Sequence, residues 1–348
     1  MLHVRTLRPS EREALLDLLD GWELPDGWRG RTFFRRYVEE DPTFAAENVW
    51  VAERDSRLVS CVQIFPRRLR IGGHAVPVGG IGSVFTRPEE RASGVASGLL
   101  ERAANAMRER GMPLSLLFAS RFDFYGRLGW TSWPGSRTLL RLAAPGAAAR
   151  DDDDERIERR TFDATCDLAT IRRIHEIYTG KRHGTVVRDD ACWKAALRNG
   201  GNPNEEFVVA LRSGVPVAYA RAAVISGFLV LTEFGREPDA ATELAALVHD
   251  ILTPRAADPL ARTDRPSSAL RALGVAPPLF DPALTAALHT RAVSLDAIAD
   301  PNAMFRVLDA PGLAAAAGTQ LGPGEDAAAL LRRLLPPACF SHWLADRF

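Results

Sequence analysis

The feature that most constrains the fold is a run of three apolar segments joined by two tight turns and followed by a glycine-containing loop and a helix. The turns are "RDS" at 54–56 and "GG" at 72–73, and they predict an antiparallel three-stranded meander over 48–86. "RASGVAS" at 91–97 then leads into a helical apolar pattern that ends at Gly111. This order excludes a dinucleotide-binding βαβ unit, which requires a parallel first strand.

The same order of elements occurs twice along the chain. Residues 3–111 and residues 156–252 each read as a strand, two helices, three strands and a helix. Between them, "DDDDE" at 151–155 reads as a solvated linker, because adjacent carboxylates repel one another. We therefore predict an internal duplication and an α+β fold, in which each module has a mixed, mainly antiparallel sheet flanked by helices.

Composition narrows the function classes. The chain has 44 basic and 44 acidic residues, which argues against nucleic acid as the main partner, because phosphate neutralisation needs a basic face. The four cysteines lack paired spacing, which fits a reducing cytoplasm. The first residues carry charges throughout and no long apolar stretch occurs, so we expect neither a signal peptide nor a membrane span.

The loop at 91–97 has small side chains and precedes a helix, where backbone N–H groups lack an intrahelical partner. Gly94 permits close approach to the backbone, and Ala96 keeps the loop thin. The helix N-terminus adds roughly half a positive charge, so the loop is predicted to bind an anion. A plain strand-to-helix turn is the alternative.

Arg91-x-x-Gly94-x-Ala96 resembles the Arg/Gln-x-x-Gly-x-Gly/Ala pattern of the GCN5-related N-acetyltransferases (GNAT). The resemblance implies that the loop binds the pyrophosphate of coenzyme A and that the preceding strand holds the thioester and binds its oxygen. The implied cofactor is acetyl-CoA as acyl donor, with no metal. The implied cofactor-binding residues are Val84, Phe85, Thr86, Arg91, Ala92, Ser93, Gly94, Val95, Ala96, Ser97 and Ser120.

"LFASRFDFYGRLGW" at 117–130 resembles the GNAT segment that carries a Phe-Tyr pair after the fifth strand. Tyr125 is then a candidate general acid. A tyrosine can give its proton to a departing thiolate against a pKa mismatch that costs about 2 kcal/mol. The alternative is that Tyr125 only packs, as we expect for Phe122 and Phe124.

A closer resemblance is to the enhanced-intracellular-survival (Eis) group of this superfamily. It rests on "VPVGGIGSVFTRPEERASGVASGLL", "FYGRLGW", "IYTGKRHGTVVRDDACW" and the final Phe348. It implies a catalytic GNAT domain at 1–145, a degenerate second GNAT-like domain at 156–257, and a small α/β region at 258–348. That last region resembles a sterol-carrier-protein-2 domain and is shortened here. In the group the carboxylate that ends the chain is the base, which makes Phe348 the second predicted catalytic residue.

The second module is predicted not to bind coenzyme A. No glycine-containing loop precedes its last helix, and Glu237 and Asp239 would repel a pyrophosphate there. A metal site is not expected, since His175 and His183 lack HExxH spacing and read as helix surface and loop. The sequence has no G-x-S-x-G elbow and no cysteine with an evident histidine partner, which argues against a covalent acyl-enzyme.

We therefore predict an enzyme that transfers acetyl directly from acetyl-CoA to a primary amine. Aminoglycoside, polyamine and lysine-type acceptors all fit, and Asp26, Trp28, Phe33 and Phe34 are the residues expected to line an acidic, aromatic acceptor mouth. A homo-oligomer is expected. Two alternatives stay open: a non-catalytic coenzyme-A- or lipid-binding protein, and a regulatory or assembly protein that kept the fold.

Overall fold

The computed structural model describes residues 1–24, 29–143, 157–198, 205–253 and 273–348, and they form two seven-stranded sheets flanked by helices. The predicted linker at 151–155 lies outside the described residues. The strands are β1 (Leu2–Thr6), β2 (Val49–Arg54), β3 (Arg57–Ile71), β4 (His74–Thr86), β5 (Leu114–Phe118), β6 (Thr131–Ser132), β7 (Gly135–Leu142), β8 (Glu158–Thr161), β9 (Glu206–Arg212), β10 (Val215–Ile225), β11 (Phe228–Arg236), β12 (Leu273–Ala276), β13 (Val293–Asp300) and β14 (Ala303–Val307).

Ten α-helices are assigned within these ranges. They are α1 (Arg12–Leu19), α2 (Gly30–Arg35), α3 (Val95–Glu109), α4 (Phe122–Gly126), α5 (Ala164–Thr179), α6 (Asp190–Arg198), α7 (Ala241–Leu252), α8 (Pro282–Thr290), α9 (Ala310–Ala316) and α10 (Ala327–Leu334). None of the helices in the described part of the chain is both long enough and apolar enough to cross a membrane.

The first sheet contains the predicted meander. Its strand order is β1-β2-β3-β4-β5-β14-β6, and β2, β3 and β4 pair antiparallel. The turn between β2 and β3 places Asp55 and Ser56 at positive φ, and two glycines do so in the next turn, as tight hairpins require. Helix α3 covers one face of this sheet with a stripe of buried residues: Val95, Leu99, Leu100, Ala103, Ala104 and Met107.

Strands β4 and β5 are parallel but stay paired only from Val78 to Ile81 on β4. Beyond Ile81, β4 continues to Thr86 with β3 as its remaining partner in the sheet. The two strands therefore separate at their carboxyl ends and leave a cleft in the middle of the sheet. Clefts of this kind at strand ends are common ligand sites.

The second sheet repeats the first, with the order β8-β9-β10-β11-β12-β7-β13. Strands β9, β10 and β11 form an antiparallel meander, and β12 runs parallel to β11 as β5 does to β4. Helix α7 packs on this sheet through an apolar face that includes Leu244, Val248 and Ile251. The predicted tandem α+β fold is confirmed.

The two modules exchange one strand each. Strand β7 follows the first module in sequence but lies between β12 and β13 of the second sheet. Strand β14, from the far end of the chain, takes the equivalent place between β5 and β6 of the first sheet. Each sheet is therefore completed by the other half of the chain.

The exchange involves strands of the region that was expected at 258–348. The sterol-carrier resemblance implied a separate region here. The strands described within 258–348 are instead divided between the two sheets. The physical reason is the apolar edge of β5, which is buried and needs a strand beside it. Met304 and Phe305 of β14 supply that cover and are each 1% exposed.

Candidate active site

The loop before α3 has the backbone geometry of an anion site. Gly94 is the residue before the helix and has φ +82°, a left-handed conformation that glycine adopts without strain. The side chains of Arg91 and Ser93 shape the loop, because they donate to the backbone oxygens of Thr86 (3.2 Å) and Glu90 (2.6 Å). No acidic residue lies in the first turn of α3, so its free N–H groups face no competing charge from the helix itself.

Strand β4 carries a bulge at the point where it leaves β5. Cys61 faces Phe85 and Gln63 faces Gly82, so two β4 residues, Ser83 and Val84, stand opposite one residue of β3. Ser83 has φ +48°, and its hydroxyl donates to the Gln63 side chain at 3.1 Å. A bulge takes backbone groups out of the ladder and turns them in a new direction. Sequence reasoning missed Ser83, because "GGIGS" reads as continuous strand.

Three other residues predicted to bind the cofactor lie on β4 or just after β5. Phe85 turns its side chain away from the cleft and stacks on Trp22, with 5.9 Å between ring centroids. The Thr86 hydroxyl is 2.7 Å from the hydroxyl of Ser60. Ser120 is exposed just after β5. Phe85 and Thr86 pair with Cys61 and Ser60 of β3, and neither residue lines the cleft.

Tyr125 lies in α4 and lines the cleft. Its ring packs edge-on against Phe124 (5.0 Å between centroids) and Trp130 (6.4 Å). Burial raises the pKa of Tyr125 to about 12, so the hydroxyl keeps its proton throughout the neutral range. Phe122 and Phe124 pack against the core under α3, as expected.

The cleft opens into a cavity of about 450 Å³, which we call the central cavity. Both modules and the end of the sequence line it. The first module contributes Ile81, Gly82, Ser83, Val84, Leu117, Phe118 and Tyr125; the second contributes Cys192, Ala195, Ala196, Val224, Ile225, Ser226 and Thr232; and Leu344, Ala345, Asp346, Arg347 and Phe348 complete the wall.

Aromatic rings form one side of the central cavity. Phe33 and Phe34 lie there beside Trp22 and Tyr37, with centroid separations of 5.1 to 6.2 Å among these rings. The other two predicted acceptor residues, Asp26 and Trp28, lie outside the described residues.

The charged side chains that the structure describes on the cavity wall are both basic and acidic, so this wall is not simply acidic. The Arg36 guanidinium lies 4.0 Å from the centroid of the Phe33 ring. Arg67 is paired with Asp41, and Arg347 also lines the wall. The Cys192 thiol is kept protonated, because burial raises its pKa to about 11.

Phe348 lies in the cleft between the separated strands. Its ring stacks on Phe65 at 5.3 Å and contacts Phe118 at 5.8 Å. A Cβ added to Gly80 would be 2.5 Å from that ring, and one added to Gly82 would be 3.1 Å from the carbonyl carbon of Phe348. These two glycines therefore give Phe348 its place against β4, beside the bulge.

The equivalent loop of the second module is filled by its own side chains. Arg236 donates to the backbone oxygens of Glu237 (2.9 Å) and Pro238 (2.5 Å). Glu237 pairs with Arg173 at 2.5 Å, and Asp239 pairs with Arg212 at 2.7 Å. The three arginines at this loop, which could otherwise attract an anion, are thus already engaged by carboxylates and backbone oxygens.

His175 differs from its expected place on a helix surface. It is 3% exposed, and its ring lies edge-on to Trp193 at 5.0 Å. Burial, together with the nearby Arg188 guanidinium, lowers the pKa of His175 to about 4. The spacing from Ile171, one helical turn earlier and fully buried, could have revealed this.

Comparison with known proteins finds similar sequences among the acetyltransferases. Residues 3–132 match the family described as acetyltransferase (GNAT) domain. An uncharacterized N-acetyltransferase of Streptomyces griseus is 30% identical over 217 residues, which cover 58% of this chain. The chain spans only 49% of the length of that relative.

Solved structures show the same fold over most of the chain. A GCN5-related N-acetyltransferase from Kribbella flavida has a TM-score of 0.63 and 20% identity, covering 93% of this chain and 75% of that one. Eis1 from Mycobacterium abscessus has a TM-score of 0.57 and 17% identity, covering 91% and 76%. The N-terminal module is thus similar to GNAT domains in sequence, and both modules have the GNAT fold.

Proposed function

We propose, taking the GNAT domain over residues 3–132 as the premise, that the protein transfers acetyl directly from acetyl-CoA to a primary amine. The observation that carries the proposal is the central cavity, where the β4 bulge, Tyr125 and Phe348 lie around one space. A cleft that combines backbone donors, a half-buried acid and an apolar wall suits acyl transfer. The Eis1 neighbour supports an Eis-like subgroup.

The donor half of the site is the first sheet. The pyrophosphate binds the N–H groups between Arg91 and Ser97, where the N-terminus of α3 stabilises negative charge. The acyl-pantetheine arm enters between β4 and β5, which no longer pair beyond Ile81. The Val84 backbone, released from the ladder by the bulge, binds the thioester oxygen as charge develops on it.

Tyr125 serves as general acid. The amine attacks the thioester carbonyl, the C–S bond breaks, and the thiolate of coenzyme A takes the phenolic proton. Because its pKa is about 12, the tyrosine is fully protonated before the reaction. The Phe124 and Trp130 rings hold its own ring in place.

The amine enters from the aromatic side of the central cavity. An ammonium group is attracted to an aromatic face, and Phe33 already attracts the Arg36 guanidinium in this way. Aminoglycoside, polyamine and lysine-type amines are the acceptor classes we propose, with Asp26, Trp28, Phe33 and Phe34 as the lining residues.

In a chain that ends at Phe348, the terminal carboxylate is the base that takes the proton of the attacking amine. In water such a carboxylate, with a pKa of about 3.5, is too weak a base to matter. Its backbone here lies against Gly82, and its ring contacts Phe65 and Phe118, so part of its surroundings is apolar. Desolvation raises the pKa of a carboxyl group and makes it a better proton acceptor.

The deciding experiment measures release of free thiol from acetyl-CoA with a panel of amines from the three acceptor classes. The Gly94→Asp variant serves as the matched protein with a blocked donor loop. Amine-dependent thiol release that this variant lacks is the expected result. If acetyl-CoA raises the melting temperature of the native protein and no amine produces thiol, the non-catalytic alternative replaces the proposal.

A further inference from the structure

The segment at 183–188, between α5 and α6 of the second module, is fastened to the first sheet. Its backbone pairs with the end of β3: Gly184 donates to the Arg70 oxygen at 2.8 Å, and Arg70 donates to the Thr185 oxygen at 2.9 Å. Val187 donates to the Arg68 oxygen at 2.8 Å. The second module thus extends along the strand next to β4.

The opposite side of the same segment holds the 340–348 segment. Ser341 donates its N–H to the His183 oxygen at 2.8 Å, and the His342 Nδ1 lies 2.8 Å from the Gly184 oxygen. Gly184 has φ +92°, and a Cβ there would collide with the Phe340 ring. The glycine is required for this close approach.

The third attachment is an ion pair between Arg188 and Asp346. The Arg188 Nε donates to Asp346 Oδ1 at 2.7 Å, and both side chains are buried, at 1% and 7% exposed. The other two nitrogens of Arg188 donate to Glu233 at 2.7 and 3.1 Å. Glu233 is itself fixed in the second sheet by the Tyr219 hydroxyl at 2.8 Å and by Arg221 at 3.2 Å. The guanidinium that receives Asp346 therefore has a fixed place and orientation.

Arg347, the residue after Asp346, makes two further contacts. The Arg347 guanidinium lies 4.3 Å from the centroid of the Phe118 ring and 3.6 Å from Asp300. Contacts of Asp346 and Arg347 thus fix the chain directly before Phe348. Phe348 lies against Gly82 at the β4 bulge.

We propose that Arg188 and Asp346 are positioning residues for acetyl transfer: the second module, through Arg188, fixes the 340–348 segment so that Phe348 lies at the reacting centre. This inference rests on the proposed function, in which the Phe348 carboxylate is the base. It gives the second module a role in the reaction without a cofactor of its own. A displacement of about 1 Å at a reacting group costs on the order of 100-fold in rate.

The primary variant is Asp346→Ala. It leaves Arg188 paired with Glu233, so the fold keeps its buried network without an unpaired charge. The control is Asp250→Ala, which removes a more exposed ion pair, with Arg159 at 2.5 Å, on the second module away from the cavity. Asp346→Glu restores the carboxylate.

We expect Asp346→Ala to lower kcat by about 10- to 100-fold, with the KM for acetyl-CoA and its stabilising effect unchanged. Asp346→Glu recovers part of the loss, and Asp250→Ala keeps the native kcat. A native kcat in Asp346→Ala overturns the inference, and so does an equal loss in Asp250→Ala or a loss confined to acetyl-CoA binding.

A double-variant cycle tests whether Asp346 acts through Phe348. In a protein with residues appended after Phe348, which removes the carboxylate, Asp346→Ala should have no further effect on kcat. Fully multiplicative effects overturn the inference, as does an extension that leaves kcat unchanged. Failure of the proposed function is a separate result, namely no thiol release with any amine in the native protein.

Discussion

Gly94→Asp tests the donor loop most directly, with Gly94→Asn as its matched control. Both side chains have nearly the same shape, and both replace a glycine at φ +82°. A Cβ there has no neighbour within 4 Å, so the cost to folding is backbone strain of about 1–2 kcal/mol, which Asn and Asp reduce by tolerating this conformation. The two variants differ by one negative charge.

That charge sets the size of the effect. Two unit charges about 4 Å apart interact by about 1 kcal/mol in water and about 4 kcal/mol near a protein surface. A pyrophosphate carries about two negative charges, so Asp at this site opposes its binding by at least about 2 kcal/mol. Affinity for acetyl-CoA falls by about 30-fold or more.

The assay is the rise in melting temperature caused by acetyl-CoA. At about 100 times the native Kd, the ligand stabilises the native protein by about 2.7 kcal/mol and the Asp variant by about 0.9 kcal/mol. For a chain of 348 residues these values correspond to shifts of about 4 °C and about 1 °C. Gly94→Asn should keep most of the native shift. A full shift in Gly94→Asp, or an equal loss in both variants, would refute the loop assignment.

Three further predictions concern the reaction and the stability of the fold. Tyr125→Phe should lower kcat by about 10²- to 10⁴-fold at unchanged acetyl-CoA affinity, measured by thiol release; an unaltered kcat removes Tyr125 from the mechanism. Appending a few residues after Phe348 should lower kcat by about 100-fold or more while the acetyl-CoA-induced rise in melting temperature persists; a native rate means that the base lies elsewhere. Burial lowers the pKa values of His175 and His342 to about 4, so the stability that these neutral side chains contribute is present above pH ~6.5 and is lost as pH falls toward 4. Melting temperatures across pH 4 to 7 check this, and His175→Gln should flatten the slope.

Local patterns predicted several elements of the first module. The meander, the loop and α3 follow from turn residues and apolar periodicity, which act between neighbours in sequence. "MFRVLDA" at 304–310 also reads as a strand, but its pairing with β5 is not evident from the sequence, because no local property of a strand identifies a distant edge. The bulge at Ser83 depends on the register between β3 and β4, which the sequence of β4 alone does not reveal.

The buried charges show the same limit. Arg188 follows "HGTVV", reads as a loop residue and has no periodic pattern to mark it as buried. Its burial depends on Glu233, 45 residues later, and on Asp346, 158 residues later, arriving at the same place. Residue types and the family resemblance placed Phe33, Phe34, Tyr125 and Phe348 among the predicted site residues. Neither pointed to the ion pairs of Arg188 with Glu233 and Asp346.

The exchanged strands also determine when folding of the first sheet can be completed during synthesis. Strand β5 emerges from the ribosome about 185 residues before β14, its neighbour in the sheet. At roughly 5–20 residues per second, the first sheet waits about 10–40 s with an apolar edge uncovered. During that interval we expect the nascent chain to bind chaperones through this uncovered edge. Release of either half alone, by premature termination or by proteolysis between the modules, leaves a sheet that only the other half can close.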